Sequence, residues 1–328
     1  MRLARLLIPL AELSIVGSYG RGGYRLRSPD FDPADLDVDL GGPVHVITGA
    51  TSGIGLAAAR MLGERGATTV LVGRDAAKLA RAVAEVPGGV PERCDMSDLA
   101  AVEDLCRRLA ARHPRLHSLV HNAGFIVAER VLTAQGHESA FATHVLAPFL
   151  MSHRLASNLA PGGRLVWVSS GGMSTQKLDL DRAQALIGDY DGVRAYAQHK
   201  RAQVLLSELF ARALGPAVTS NAMHPGWVDT PGVERGIPAF HRRMRRFLRT
   251  PEQGADTIAW LCAAPRLAGT SGRFYLDRKA RRTQIVPGTR HGEADREALW
   301  ARCCELTGVA APCPVRLTRD EVDRSRDR

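Results

Sequence analysis

The sequence reads as an α/β protein with a single Rossmann-type, doubly wound parallel sheet of about seven strands, and three observations carry that reading. From Pro43 onward, short β-branched runs alternate with amphipathic helical runs, the pattern of a parallel sheet covered by helices on both faces. A glycine-rich turn, Gly49-Ala-Thr-Ser-Gly-Ile-Gly55, joins the first of those runs to the first helix. No stretch reaches the roughly 18 uninterrupted apolar residues of a membrane span.

Taken in order, residues 1–42 form an appended arm with an amphipathic start, Leu6–Val16, broken by Pro9 and Glu12 and lacking a small-residue cleavage site. The central domain runs over 43–285. Its candidate strands are Val44–Thr48, Thr68–Val72, Gly89–Arg93, Leu116–His121, Arg164–Ser169, Val218–Met223 and Arg273–Leu276. Between them, helical spacing falls near Ile54–Arg65, Ala76–Val86, Leu99–Arg112, Glu138–Leu159, Tyr196–Leu214 and Pro251–Ala263. Residues 286–328 read as a charged extension with one helix near Glu293–Leu306 and a disordered end, Arg319–Arg328.

The net charge of +10 is concentrated in His241–Arg249 and Arg278–Arg282. These runs read either as solvated basic faces or as contacts for an anionic membrane surface. Nucleic acid is not expected as a partner, because no aromatic stacking pattern interleaves with the basic runs. The six cysteines show no CxxC spacing, so no metal site is expected and they read as reduced thiols of a cytoplasmic protein.

Three motifs carry chemistry. The strand–turn–helix at Gly49, Gly53 and Gly55 turns backbone amides and a helix N-terminus toward a pyrophosphate, a dinucleotide cradle that takes in Thr51, Ser52 and Ile54. The second strand ends in Gly73-Arg74, where dinucleotide folds test the adenine ribose. An arginine there can pair with a 2′-phosphate, so NADP(H) is favoured and NAD(H) remains possible, with Asp75 and the lack of a second basic residue in the glycine loop counting against. Tyr196 and Lys200 stand four residues apart, on one face of a helix, where an ammonium can favour ionisation of a phenol with an ordinary pKa of about 10.

With His121-Asn-Ala-Gly124, Ser169-Ser170 and His224-Pro-Gly226 following the fourth, fifth and sixth strands, the order and spacing from about Pro43 to Leu276 resemble the short-chain dehydrogenase/reductase superfamily. The resemblance implies that Tyr196 exchanges a proton with the substrate oxygen while hydride moves to or from the nicotinamide. It also implies that Lys200 lowers the phenol's pKa and holds the nicotinamide ribose, and that Ser170 hydrogen-bonds the substrate oxygen. Asn122, Ala123 and Gly124 would line the adenine side, Asp95 and Met96 would meet the adenine, and Pro225, Gly226, Val228 and Thr230 would reach the carboxamide end. At His144 the superfamily usually has an asparagine holding a relay water. The histidine here either takes over that task or is a satisfied core residue.

Two segments, Gly171–Arg194 and Pro231–Thr250, are placed to cover the reacting centre. Val233, Ile237, Phe240, Met244, Phe247 and Leu248 suit a lid over a lipophilic carbonyl or secondary alcohol, or the core face of an amphipathic helix. The sequence thus predicts an NADP(H)-dependent oxidoreductase. A cofactor-binding scaffold or sensor that does little chemistry is the alternative, and His144 is the feature that favours it. The oligomeric state is left open.

Overall fold

The computed structural model describes residues 15–311. The amphipathic start of the arm therefore lies almost wholly outside the described residues, as do Arg319–Arg328 and Cys313.

The central sheet has the order β3-β2-β1-β4-β5-β6-β7-β8, with β1 Val44–Thr48, β2 Thr68–Gly73, β3 Gly89–Arg93, β4 Leu116–His121, β5 Leu159–Val168, β6 Val218–Met223, β7 Phe274–Leu276 and β8 Lys279–Ala280. Every neighbouring pair is parallel except β7 with β8. The chain winds from β1 outward to β3 and then returns to β4 on the other side of β1, so a crevice opens at the carboxyl ends of β1 and β4.

The eighth strand corrects the expected seven. It is a two-residue antiparallel edge with both residues exposed, so no apolar alternation marks it. A second correction concerns the helix expected over Glu138–Leu159. Glu138 instead caps a short turn by accepting from the Ala140 and Phe141 amides, Ala142–Leu146 is a π-helical turn, Ala147–Arg154 is α-helical, and Leu159 already belongs to β5. Pro148 explains part of the break, since it has no N–H to give the carbonyl four residues earlier.

Both sheet faces are packed. On one, Leu119, Leu165 and Trp167 meet Leu105, Phe149 and Phe210; on the other, Ile47, Leu71, Val120 and Val166 meet Ala58, Leu62 and Ile258. The Glu293–Thr307 helix of the extension joins the first face through fully buried Leu299 and Trp300, the latter stacked edge-on against Phe149 at 5.1 Å. Each such side chain contributes about 1.5–3 kcal/mol of transfer free energy.

The arm is tied to the same edge of the sheet as the crevice. Asp277, just beyond β7, accepts from Arg249 at 2.6 and 3.0 Å and from Arg27 at 2.7 Å. Arg249 also donates to the Tyr19 carbonyl at 2.9 Å and to those of Ser18 and Pro225 at 3.2 Å. These three charges are almost wholly buried, so the carboxylate of Asp277 is what offsets the two guanidiniums beside it.

Candidate active site

The cradle is built by close backbone approach. Gly49 and Gly53 have φ of +67° and +56°, left-handed values that favour glycine. A Cβ on Gly49 would stand 2.8 Å from the Ala123 Cα, and one on Gly55 would stand 2.5 Å from both Asn122 Nδ2 and the Gly49 carbonyl. Asn122 braces the turn, donating from Nδ2 to the carbonyls of Thr48 (2.9 Å) and Gly49 (3.1 Å), while the Thr48 hydroxyl accepts from the Asn122 and Ala123 amides. Ser52 sits at the N-cap of the Gly53–Gly63 helix without spending its side chain on a cap bond. Thr51 packs on Gly73, Thr230 lies against Gly53, and Ile54 and Val228 both close on Gly254. Residues from four loops thus meet around one tight turn that leads into a helix N-terminus, a fit for a dinucleotide pyrophosphate.

Beyond the carboxyl end of β2 a cavity of 510 Å³ is lined by Arg74, Asp75, Arg93, Cys94, Asp95 and Ala101. Arg93 is the residue that sequence reasoning missed. It lies 19 positions from Arg74, yet the β2–β3 register pairs Gly73 with Arg93, and Arg93 Nε donates to the Arg74 carbonyl at 3.2 Å. Asp75, counted against a phosphate, caps its own helix through a 2.9 Å bond from the Lys78 amide. Asp95 holds the Ser97 amide and hydroxyl at 2.9 and 2.8 Å and stands 4.0 Å from Arg74; Met96 beside it is buried.

Ser170, Tyr196 and Lys200 come together at the carboxyl end of β5. Asp191 caps the Gly192–Ala213 helix, which starts one turn before the expected Tyr196 and presents both Tyr196 and Lys200. The Lys200 Nζ lies 5.3 Å from the centre of the Tyr196 ring and donates to the Val168 carbonyl at 2.8 Å. Ser169 donates its hydroxyl to the Lys200 carbonyl at 2.8 Å, whereas Ser170 accepts from the Gly172 amide at a longer 3.4 Å.

The electrostatics correct one expectation. Burial pushes the Tyr196 phenol up to about 12, with a hydrogen bond to Ser170 the opposing influence. Burial also brings the Lys200 ammonium down to about 7. Residues of this chain alone therefore do not draw the phenol toward neutrality, because burial disfavours the charged form of the phenol and of the lysine alike.

His144 has both ring nitrogens engaged. Its Nε2 accepts from the Phe125 amide at 3.0 Å, and its Nδ1 lies 3.1 Å from His199 Nδ1, while His199 Nε2 lies 2.8 Å from the Ala183 carbonyl. A carbonyl only accepts and an amide N–H only donates, so this chain fixes His199 as the Nε2–H tautomer and His144 as the Nδ1–H tautomer. Burial holds His144 well below its ordinary pKa and His199 at about 4. The geometry accords with the satisfied core histidine, since neither ring nitrogen is left to hold a relay water.

Gly226 (φ +81°) lets the Arg249 guanidinium pass where a Cβ would lie 2.2 Å from its Nε, and Arg249 holds the Pro225 carbonyl. Of the segment read as a lid, Leu248 is buried, Phe240 packs on Trp227 at 5.1 Å, and Phe247 is 52% exposed. Gly236 closes against Ile126 of the loop after β4. The segment is therefore partly core-facing and partly open. Tyr19 of the arm packs edge-on against His224 at 4.5 Å, and a Cβ on Gly171, next to Ser170, would lie 2.5 Å from its ring.

The sheet, the glycine cradle and the Ser–Tyr–Lys cluster define a nicotinamide-dinucleotide oxidoreductase fold, and the chain belongs to the short-chain dehydrogenase/reductase family. A family model described as enoyl-(acyl carrier protein) reductase matches residues 49–275. The chain is 40% identical over 291 residues to dehydrogenase/reductase SDR family member 12 of Bos taurus, covering 86% of this chain and 91% of that one. It is 34% identical to retinol dehydrogenase 12 of Bos taurus, covering 83% and 89%. Among solved structures, a short-chain dehydrogenase from Burkholderia cenocepacia in complex with NADP aligns with a TM-score of 0.60 at 27% identity, covering 72% of this chain and 96% of that one. No helix among the described residues is long and apolar enough to cross a membrane, and no group of residues among them is arranged to hold a metal ion.

Proposed function

We propose that the protein is an NADP(H)-dependent oxidoreductase that interconverts a lipophilic carbonyl and a secondary alcohol, with Tyr196 as proton donor and acceptor. The observation that carries this reading is the convergence of Ser170, Tyr196 and Lys200 beside a glycine cradle that a single Cβ would obstruct. NADP(H), when bound, supplies or accepts the hydride. The chain's residues do the rest. The cradle amides hold the pyrophosphate, and Arg74 with Arg93 favours a 2′-phosphate over a bare hydroxyl. Lys200 offers an N–H to the nicotinamide ribose, Ser170 orients the substrate oxygen, and the Tyr196 hydroxyl gives that oxygen a proton in reduction or takes it back in oxidation.

Burial that raises the phenol to about 12 keeps Tyr196 in its protonated, donor form at neutral pH. The relative named retinol dehydrogenase supports a lipophilic alcohol or aldehyde as substrate class, as does the apolar stretch from Val233 to Leu248. The reading places the protein in the cytoplasm, with Arg242, Arg243, Arg245 and Arg246, all exposed, facing an anionic lipid surface. Equal recovery on neutral and anionic vesicles would remove that last element alone.

The test is NADPH consumption with a pool of lipophilic aldehydes and ketones, run beside Tyr196→Phe. Consumption that depends on Tyr196 supports the reading. NADPH binding without turnover in either protein favours a cofactor-binding scaffold, the reading to which the saturated His144 points.

A further inference from the structure

A second amide stands at the heart of this site. Gln203, one helical turn beyond Lys200, is fully buried. Its Oε1 accepts from Lys200 Nζ at 2.9 Å, and its Nε2 donates to the His144 carbonyl at 2.9 Å. That carbonyl lies in the π-helical turn, and the residue four positions on is Pro148, which has no N–H to return to it. Pro148 thus withdraws the ordinary α-helical donor from the His144 carbonyl, and the Gln203 amide bonds that carbonyl from the neighbouring helix.

We propose that Gln203 is a positioning residue for the proposed reaction: its amide fixes the Lys200 ammonium and ties it to the backbone at His144, making Gln203 a determinant of cofactor binding at the nicotinamide end.

Donor counting supports this. A lysine ammonium has three N–H groups and no acceptor. Val168 and Gln203 take two, leaving one donor for a bound molecule. The amide cannot turn over, because a flipped Gln203 would set its NH₂ against the ammonium and its oxygen against the His144 carbonyl. The Gln203 amide bonds both the lysine and the carbonyl directly, and an amide holds a charge in place but does not hand on a proton as a water chain does. The lysine's position is thus set by the protein before anything binds, which reduces the ordering that binding requires.

The titratable groups facing Lys200 are Tyr196 and His199 from its own helix and His144 from the π-helical turn. β5 offers the Val168 carbonyl with Ser170 beyond it, and the loop after β4 offers only Gly124, whose Cβ would be 3.6 Å from Nζ. Both histidines stay neutral through the neutral range and Tyr196 ionises far above it. The 2′-phosphate of NADPH itself titrates at about 6 at the other end of the cofactor, so Lys200 is reported by a break in cofactor affinity that moves when Gln203 is substituted.

The proposal rests on the functional reading above, and the experiment separates the two. The dissociation constant of NADPH is measured by quenching of tryptophan fluorescence across the neutral and alkaline range for the wild-type protein, Gln203→Glu and Gln203→Met. A carboxylate beside the ammonium should move the break up by about one pH unit or more, and a thioether, which withdraws the acceptor, should move it down. Opposite shifts in two variants of near-equal size are not produced by loosened packing. Breaks that coincide with wild type in either folded variant would overturn the proposal. If Gln203→Met does not fold, Gln203→Glu alone still decides it by moving up or staying put. A wild-type protein that binds no NADPH overturns the functional reading itself.

Discussion

Replacing Arg74 by alanine should cost the protein its preference for the phosphorylated cofactor while leaving its hold on the other form intact. Two guanidiniums line the cavity beyond β2 beside two carboxylates, of which Asp75 caps its own helix and Asp95 accepts from the Ser97 amide and hydroxyl while standing 4.0 Å from Arg74. A unit charge pair at about 4 Å in water-like surroundings is worth roughly 1 kcal/mol, and a phosphate monoester carries about 1.5–2 charges at neutral pH. The Arg74 side chain is 72% exposed, so solvent and salt screen part of that. A loss of about 1–1.5 kcal/mol, roughly tenfold in Kd, is the expected result for NADPH. Binding of NADH, which has no phosphate at this position, should change little. Arg93→Ala should act in the same direction and the double variant more strongly than either. The assay is fluorescence titration of both cofactors at two salt concentrations, with the NADPH difference shrinking at high salt. An unchanged ratio of NADPH to NADH affinity in folded Arg74→Ala and Arg93→Ala would refute the assignment of this cavity to the 2′-phosphate.

Other outcomes follow from the same structure. Gly55→Ala places a methyl 2.5 Å from Asn122 Nδ2 and the Gly49 carbonyl, so it should weaken both cofactors alike, measurable in the same titration. Asp277→Ala removes the carboxylate that offsets the buried Arg249 and Arg27, which should cost about 3–5 kcal/mol and lower Tm by about 6–20 °C in a thermal melt. Stability should also fall with acid. His45, His121 and His224 are held neutral at about 3 and His199 at about 4, all by burial. The unfolded chain therefore binds protons first, so stability is complete above about pH 6.5 and declines as pH falls toward 4. Urea midpoints taken down that range should drop steadily; a flat series contradicts the buried neutral imidazoles. His144→Asn leaves the Phe125 amide and His199 without their partner, an expected loss of about 1–3 kcal/mol in urea unfolding with NADPH binding retained.

β1 was legible because a buried parallel strand is a short β-branched run, and β1, β3, β4 and β6 coincide with their sequence-read bounds, β3 although only one of its five residues is buried. What escaped reading has physical reasons. The β8 edge is two exposed residues with no periodicity to detect. The π-helical turn keeps the apolar character of the helix around it, so hydrophobic spacing ran straight through Ala142–Leu146. Arg93 was invisible because only the β2–β3 register brings it to Arg74, and Gln203 because a buried amide is a polar letter until its two partners are in place. Tyr196, Lys200, Ser170 and the glycines were legible as local spacing. The direction of the phenol's shift was not, since burial acts through the surrounding fold and not through neighbours in sequence.

The most direct measurement is the rate of NADPH oxidation with a lipophilic carbonyl pool for wild type and Tyr196→Phe, with the NADPH dissociation constant of each determined in parallel. Removing one hydroxyl should abolish most of the turnover and leave cofactor binding nearly unchanged. Equal turnover in both proteins would contradict the assignment of Tyr196 as the proton donor and, with it, the central claim about this site.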